Sequence, residues 1–332
     1  MALLLTFALP YPWLAASQAT DTDVSKLADL QILDQRVADI GLKLAVNSLE
    51  LCSDHWAATG ITLHSLSQYN PDWRAAAAAA FGFEPGELGV LAVAKGSPAW
   101  AAGLRPNDVI LRLNGEPLEQ PAAPTAAKGE YAQTDIAMTR IESIQLGSPV
   151  EIEVERGDKR LLLSFRPVEA CASRFELATS NEQNANSNGH VVQLFGKLVL
   201  NLPSDNELAL VMGHEMAHNI LGHNQQIKKR RLSMGLIAVF DGSGKILRKY
   251  ELEADRYGIF FAARAGFDYA GAARFWKRFS ASGGLGAQIA VTHPAPRARE
   301  KNALATVNEI DELRSEQKPI IPAEMASKRS GD

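Results

Sequence analysis

The run Pro203-Ser-Asp-Asn-Glu-Leu-Ala-Leu-Val-Met-Gly-His-Glu-Met-Ala-His-Asn-Ile-Leu-Gly222 decides how this chain is read. Ser204 is a helix-capping residue with Glu207 three positions on, the spacing of a capping box. Leu208, Leu210, Val211, Met212 and Ile220 then carry an apolar helix to about Gly222. On it His214 and His218 lie one turn apart on one face, so two imidazole nitrogens can reach a single ion. Zinc accepts such nitrogens at about 2.0–2.1 Å. Glu215 sits beside the pair, close enough to take a proton from water on the metal and angled away from being a ligand. The pattern H-E-x-x-H arises by chance in about one chain in a hundred of this composition, and more rarely on a capped apolar helix. That favours a metal site over two histidines with a salt-bridging glutamate. His223 could ligate by spacing alone, but the Gly222 break sets it aside.

A catalytic zinc needs a third protein ligand and one open position. The donor is expected in Tyr250-Glu-Leu-Glu-Ala-Asp-Arg-Tyr-Gly258, a second helical pattern. Glu251 and Asp255 share a face there, so one can bind metal while the other orients a ligating histidine. Glu253 points elsewhere on the same helix and is the fallback ligand.

Outward from this centre, Asp23–Leu51 predicts a long amphipathic helix, with Leu30, Leu33, Val37, Ile40 and Leu44 on one face. After the alanine run 75–80 the texture changes at about Gly82 to short strands broken by Gly and Pro. Val90–Val93 reads as a strand and Asn107–Gly115 as another, ending on the turn signal Asn114-Gly115. A helix is predicted over Tyr131–Leu146, then a hairpin of Val150–Glu155 and Arg160–Phe165 around Gly157-Asp158. Beyond Cys171 come short strands, Val191–Phe195 and Lys197–Leu202, and then helices to about Glu316. The strand at Lys197–Leu202 is the expected edge for aligning an extended substrate.

The string Gly96-Ser-Pro-Ala-Trp-Ala-Ala-Gly-Leu-Arg-Pro-Asn-Asp-Val-Ile-Leu-Arg-Leu-Asn-Gly115 strongly resembles a bacterial-type PDZ domain. The resemblance implies a unit that takes up an extended peptide or a polypeptide's C-terminus at a sheet edge. Three ordered motifs resemble metallopeptidase family 48 over about Cys171–Ala305. They are HEMAH, ELEAD at Glu251–Asp255, and His293-Pro294 with Arg299 six residues past the histidine. This second resemblance implies an α+β fold: a mainly helical gluzincin-type metallopeptidase domain with a small β-rich PDZ domain inserted. The peptidase part is then 20–81 and 169–316, the insert 82–168, and 317–332 a flexible tail. The same resemblance implies one Zn2+ per chain on His214, His218 and Glu251, with Asp255 supporting Glu251 and Glu215 as catalytic base. It further implies that His293 contacts the reacting carbonyl oxygen or the substrate, with Arg299 nearby. A histidine aimed at a developing oxyanion is chemically sensible. The sequence departs from the family in having Glu300 after Arg299, where an apolar residue is usual, and in having Arg297 as a competitor for the Arg299 role. The transmembrane helices of the membrane-bound members are missing, which places it nearer the soluble periplasmic ones.

A formal net charge of −4 gives no reason to expect nucleic-acid binding, and the basic run Lys228-Lys229-Arg230-Arg231 reads as a solvated helix end. Residues 1–19 resemble a secretory signal peptide, with an apolar run at Ala2–Leu9 and small residues Ser17 and Ala19, though no Lys or Arg precedes the run. That run is too short to span a bilayer, which needs about 20 residues, so an exported, periplasmic and soluble protein is expected. In that setting Cys52 and Cys171, which flank the PDZ-like unit, are expected to pair. Closing a loop of about 100 residues is worth about 4.7 kcal/mol in the chain-entropy model. The reading as a whole is a zinc-dependent endopeptidase of protein substrates, in envelope quality control. The alternative is a peptide-binding, chaperone-like factor with a latent or gated site. A purely structural zinc protein is disfavoured, because neither cysteine stands near the motif to close the fourth position.

Overall fold

Two cores share one long helix. The computed structural model describes residues 20–118, 129–180, 182–233, 237–281 and 294–329, so the leader-like segment 1–19 and His293 lie outside the described residues. Helix α1 (Asp21–Asn47) starts on Thr20, whose hydroxyl accepts the Asp23 N–H at 3.2 Å. Its first half sends Leu27 against Leu66, Ala76, Phe81 and Phe83, while Val37, Ile40 and Leu44 enter the main core. The helix stops at Asn47, short of the predicted Leu51, and a separate 3₁₀ turn covers Leu49–Leu51.

The β-rich unit follows: β1 (His55–Ala58), β2 (Ile61–His64), α2 (Pro71–Phe81), β3 (Leu88–Val93), α3 (Pro98–Ala101), β4 (Val109–Leu113), β5 (Glu116–Pro117), α4 (Ala132–Glu142), β6 (Val150–Arg156), β7 (Lys159–Phe165) and β8 (Val168–Cys171). Strands run β2-β3-β4-β6-β7 in one antiparallel sheet, with β5 on β4. Val150, Ile152 and Val154 alternate inward onto Leu88, Val90 and Ile110, and α4 covers them with Ala137, Met138 and Ile141. Asn114 and Gly115 both have positive φ (52° and 81°), as the turn signal demands. The sequence places the start of this unit at residue 82, but β2 puts the first strand of its sheet at Ile61. The unit is entered and left side by side, because β1 pairs β8 antiparallel with His55 opposite Cys171. There Cys52 and Cys171 form a disulfide, Cα–Cα 5.8 Å, across 119 positions of sequence.

The rest of the protein builds β9 (Arg174–Ala178), β10 (Ala185–Ser187), β11 (Val191–Phe195), α5 (Gly196–Asn201), α6 (Asp205–Ile220), α7 (His223–Arg230), α8 (Ile237–Phe240), α9 (Ser243–Arg264), α10 (Ala272–Ala281), α11 (Pro296–Ser315) and α12 (Ala323–Arg329). The predicted strand at Lys197–Leu202 is corrected by α5: Leu198, Val199 and Leu202 are buried while Lys197 and Leu200 face solvent, a helical period rather than an alternating one. The sheet order is β10-β11-β9, with β11 parallel to β9, so β10 is an edge strand. Helix α9 crosses α6 at backbone contact. A methyl carbon on Gly213 would lie 2.8 Å from Gly258 O, and one on Gly258 would lie 2.7 Å from His214 N.

Three sets of bonds tie α1, the β-rich unit and the rest of the protein together. Gln31 and Gln35 of α1 donate to the β3 carbonyls of Leu91 and Val93 at 3.0 and 2.8 Å. Arg36 of α1 reaches Asp205 at the start of α6 at 2.6 Å. Arg174 of β9 pairs with Asp135 (2.8 Å) and Glu142 (3.3 Å) of α4.

Candidate active site

Helix α6 is buried along most of its length, and the histidines sit at its closest approach to α9. Ser204 is its N-cap but its hydroxyl makes no capping bond, and Glu207 instead accepts from Arg278 at 2.6 Å. Two turns in, His214 (1% exposed) and His218 bring their Nε2 atoms to 3.2 Å. Glu251 of α9 reaches both, 3.4 Å from His214 Nε2 and 3.5 Å from His218 Nε2. Among the described residues these three form a group with ligand atoms within 4.8 Å of one another. A tetrahedral ion with bonds of about 2.0–2.1 Å has ligand–ligand edges of about 3.3–3.4 Å. The spacing and the N, N, O donor chemistry both fit zinc.

The outer nitrogens are also held. Asp255, fully buried one turn beyond Glu251, takes His214 Nδ1 at 2.9 Å, so its contact is to the histidine rather than to Glu251. Arg299 of α11, 1% exposed, meets that same carboxylate with Nε at 2.7 Å from Oδ2 and with Nη2 on Oδ1. Its guanidinium lies 3.9 Å over the Trp276 ring, which packs on His214 at 5.3 Å between centroids. The structure thus turns Arg299 to Asp255, while Arg297 is exposed. His218 Nδ1 meets His223 Nδ1 at 3.0 Å, and His223 Nε2 faces Glu253 Oε2 at 3.6 Å.

Electrostatics follow from this crowding. Burial alone would lower the His214 pKa, but its bonds to Asp255 and Glu251 outweigh that and raise it to about 9. Two carboxylates facing imidazole nitrogens make a site that attracts positive charge. Burial pushes Glu215 up to about 7; His214 opposes the rise, the Glu251 carboxylate adds to it, and a bond from Ser187 of β10 opposes it. Asp255 is buried too, yet the charge and donors of Arg299 and His214 hold it below the usual carboxylate range. Asn219, on the same helix, accepts from Gly189 N at 2.7 Å and donates to Ser173 at 3.0 Å, which fixes the β10–β11 turn beside the site. The basic run 228–231 is an exposed helix end, as its sequence suggests.

Sequence reasoning singled out neither Trp276 nor Asn219, and nothing local marks them. It also passed over Gly213 and Gly258, although a glycine inside a helical pattern signals close packing.

A mainly helical body with a His-His-Glu cluster on crossing helices, interrupted by a β-rich insert, is the layout of a PDZ-bearing peptidase. Comparison with known families agrees. Residues 164–246 and 231–307 match peptidase family M48, and residues 89–124 match the PDZ domain. The protein thus contains an M48-type peptidase region and a PDZ region. It is 28% identical over 201 residues to a protein named beta-barrel assembly-enhancing protease from Vibrio cholerae, an alignment covering 51% of this sequence and 42% of that one. It is 36% identical over 78 residues to a protein named serine protease HhoB from Synechocystis, covering 24% of this sequence and 16% of that one. The alignments thus span less than half the length of these relatives. The HtrA3 PDZ domain bound to a phage-derived ligand (FGRWV) is 23% identical, with 35% of this sequence and 89% of that one covered and a TM-score of 0.26.

Proposed function

We propose that this protein is a zinc-dependent endopeptidase acting on protein substrates, with the metal on His214, His218 and Glu251. The observation that carries the reading is the 3.2–3.5 Å spacing of those three ligand atoms beside the buried, non-ligating Glu215. Zinc held there would polarise a peptide carbonyl and acidify water. Glu215 takes the proton of the attacking water and later delivers it to the leaving amine. Its position next to His214 on a helix pinned by Asn219 keeps that carboxylate fixed relative to the edge strand β10. An extended substrate adding to β10 would run past Glu215, with backbone pairing supplying alignment independent of side-chain identity. His293, outside the described residues, is proposed to stabilise the oxyanion by resemblance. Arg299 and Asp255 act further back, holding His214.

The Cys52–Cys171 bridge supports an oxidising compartment, hence envelope quality control. No helix among the described residues is long and apolar enough to cross a membrane. The PDZ unit is proposed to bind a peptide at the β2 edge, alongside α4. The N-terminal end of that edge opens on a cavity of about 80 Å³ lined by Gly60, Ile61, Met138, Gly41, Arg174 and Phe175. A groove meeting the peptidase part in this way suits choice or restraint of substrate.

Casein cleavage by purified wild type and Glu215→Gln, both zinc-loaded, tests the reading. Loss of the general base should lower kcat by about 10²–10⁴ with zinc content unchanged. Activity within threefold of wild type would overturn it. A cellular phenotype that survives Glu215→Gln intact would favour the peptide-binding reading.

A further inference from the structure

We infer that His223 and Glu253, neither of which touches the metal position, set the proton arrangement that makes His218 a ligand. The inference rests on the zinc reading above. His223 is the first residue of α7, and it reaches His218 only because Gly222 takes a left-handed conformation (φ 65°) that turns the backbone across the end of α6. Its ring is buried (1% exposed) and stacked on Tyr250 of α9, with centroids 4.4 Å apart and planes inclined by 14°. Tyr250 is held in turn by its hydroxyl donating to Gln226 at 3.0 Å.

The proton positions follow from the contacts. For His218 to ligate, its Nε2 must be bare, so a neutral ring carries its single proton on Nδ1. That Nδ1 lies 3.0 Å from His223 Nδ1, and two nitrogens at hydrogen-bond distance need one proton between them. His218 Nδ1–H therefore donates and His223 Nδ1 accepts. That leaves Nε2 as the donor nitrogen of His223, and it faces the Glu253 carboxylate at 3.6 Å, an electrostatic contact longer than a hydrogen bond. With the tautomers reversed, His223 Nδ1–H would donate to His218 Nδ1, placing the His218 proton on Nε2 and blocking the metal. Glu253 disfavours that state, because it would aim a bare nitrogen at a carboxylate. The two ligating imidazoles are thus held alike: His214 by Asp255 directly, and His218 by Glu253 through His223.

The test uses the full-length protein, with zinc alone as probe and a chromogenic chelator as competitor. His223→Phe keeps the ring on Tyr250 but removes the acceptor. It should weaken zinc binding 10–100-fold while the metal-free protein melts within a few degrees of wild type. Glu253→Gln should weaken it about threefold and covers the case in which His223→Phe does not fold. Zinc affinity within twofold of wild type in a folded His223→Phe, or an unchanged affinity in Glu253→Gln if only that variant folds, overturns the inference. A long-range proton–nitrogen spectrum of the zinc-loaded protein should show protons on His218 Nδ1 and His223 Nε2, and a proton on His223 Nδ1 also overturns it. Failure of wild type itself to bind zinc defeats the zinc reading and this inference together, whereas normal binding in His223→Phe defeats only this one.

Discussion

Replacing Arg299 by methionine separates two roles that the same residue could play. In the structure the guanidinium is buried, hydrogen-bonded twice to Asp255 and stacked on Trp276. Methionine keeps most of the volume, so the cavity term is small, but Asp255 is left as a fully buried carboxylate that has lost its guanidinium and keeps only His214. Breaking a buried pair from one side costs about 3–5 kcal/mol. For a protein of 332 residues that corresponds to a melting point lower by about 4–7 °C. The carboxylate escapes part of this by taking up a proton, which weakens its hold on His214 Nδ1 and should loosen zinc by about 10–100-fold. The pH dependence has a definite sign. Asp255 is held below its unfolded value of 3.8, so the pair's stabilisation is intact above that value and is lost as pH falls through the depressed one. The gap between wild type and Arg299→Met should therefore close in acid. Thermal melts across pH, with zinc competition in parallel, measure both effects, and Asp255→Asn completes a double-mutant cycle with an expected coupling of about 2 kcal/mol. If Arg299 worked at the reacting carbonyl instead, Arg299→Met would melt within about 1 kcal/mol of wild type, bind zinc normally and lose only kcat. That outcome would refute the structural assignment.

Gly258→Ala should cost about 1–3 kcal/mol and lower zinc affinity, because its methyl meets the α6 backbone 2.7 Å away and must push α9 off the histidines. A variant that melts and binds zinc like wild type would show that the crossing is loose. Removing the Cys52–Cys171 bridge, by reductant or Cys52→Ala/Cys171→Ala, should destabilise by about 2–5 kcal/mol in denaturant melts, and no shift in midpoint would argue against a closed loop in the folded protein. Burial pushes Glu142 up to about 7 against the pull of Arg174, so stability should decline as pH rises from 4.5 to 7 and level off above; Glu142→Gln should remove that slope, and an unchanged slope would count against the interface geometry.

The His-His-Glu cluster was legible because its residues lie at i and i+4, where spacing alone puts His214 with His218 and Glu251 with Asp255. The PDZ-like strands were legible from turn residues whose φ is positive, such as Asn114-Gly115. Lys197–Leu202 was misread because a short apolar run looks alike as strand or helix until burial picks the period. The partner of Arg299 was out of reach, since nothing near position 299 records a carboxylate 44 residues earlier. His223 fell between the two cases: its spacing was visible, but its orientation depends on the φ of Gly222.

Glu251, Glu253 and Asp255 explain why so much depends on how α9 is seated. At about 100° per residue, Asp255 stands about 40° from Glu251, while Glu253 stands about 160° away on the other flank. One helix can serve His214 and His218 directly and His223 from its flank only if α7 wraps towards that flank, which the Gly222 turn achieves. The register of α9 against α6 then sets every acid at once. A rotation by one residue, about 100°, would withdraw Glu251 from the metal position, Asp255 from His214 and Glu253 from His223 together. Paired glycines at 213 and 258 allow the backbones to touch and leave little room for such slippage. On this view the conformational cost of two mid-helix glycines, about 1 kcal/mol each, is what places three carboxylates around one imidazole cluster.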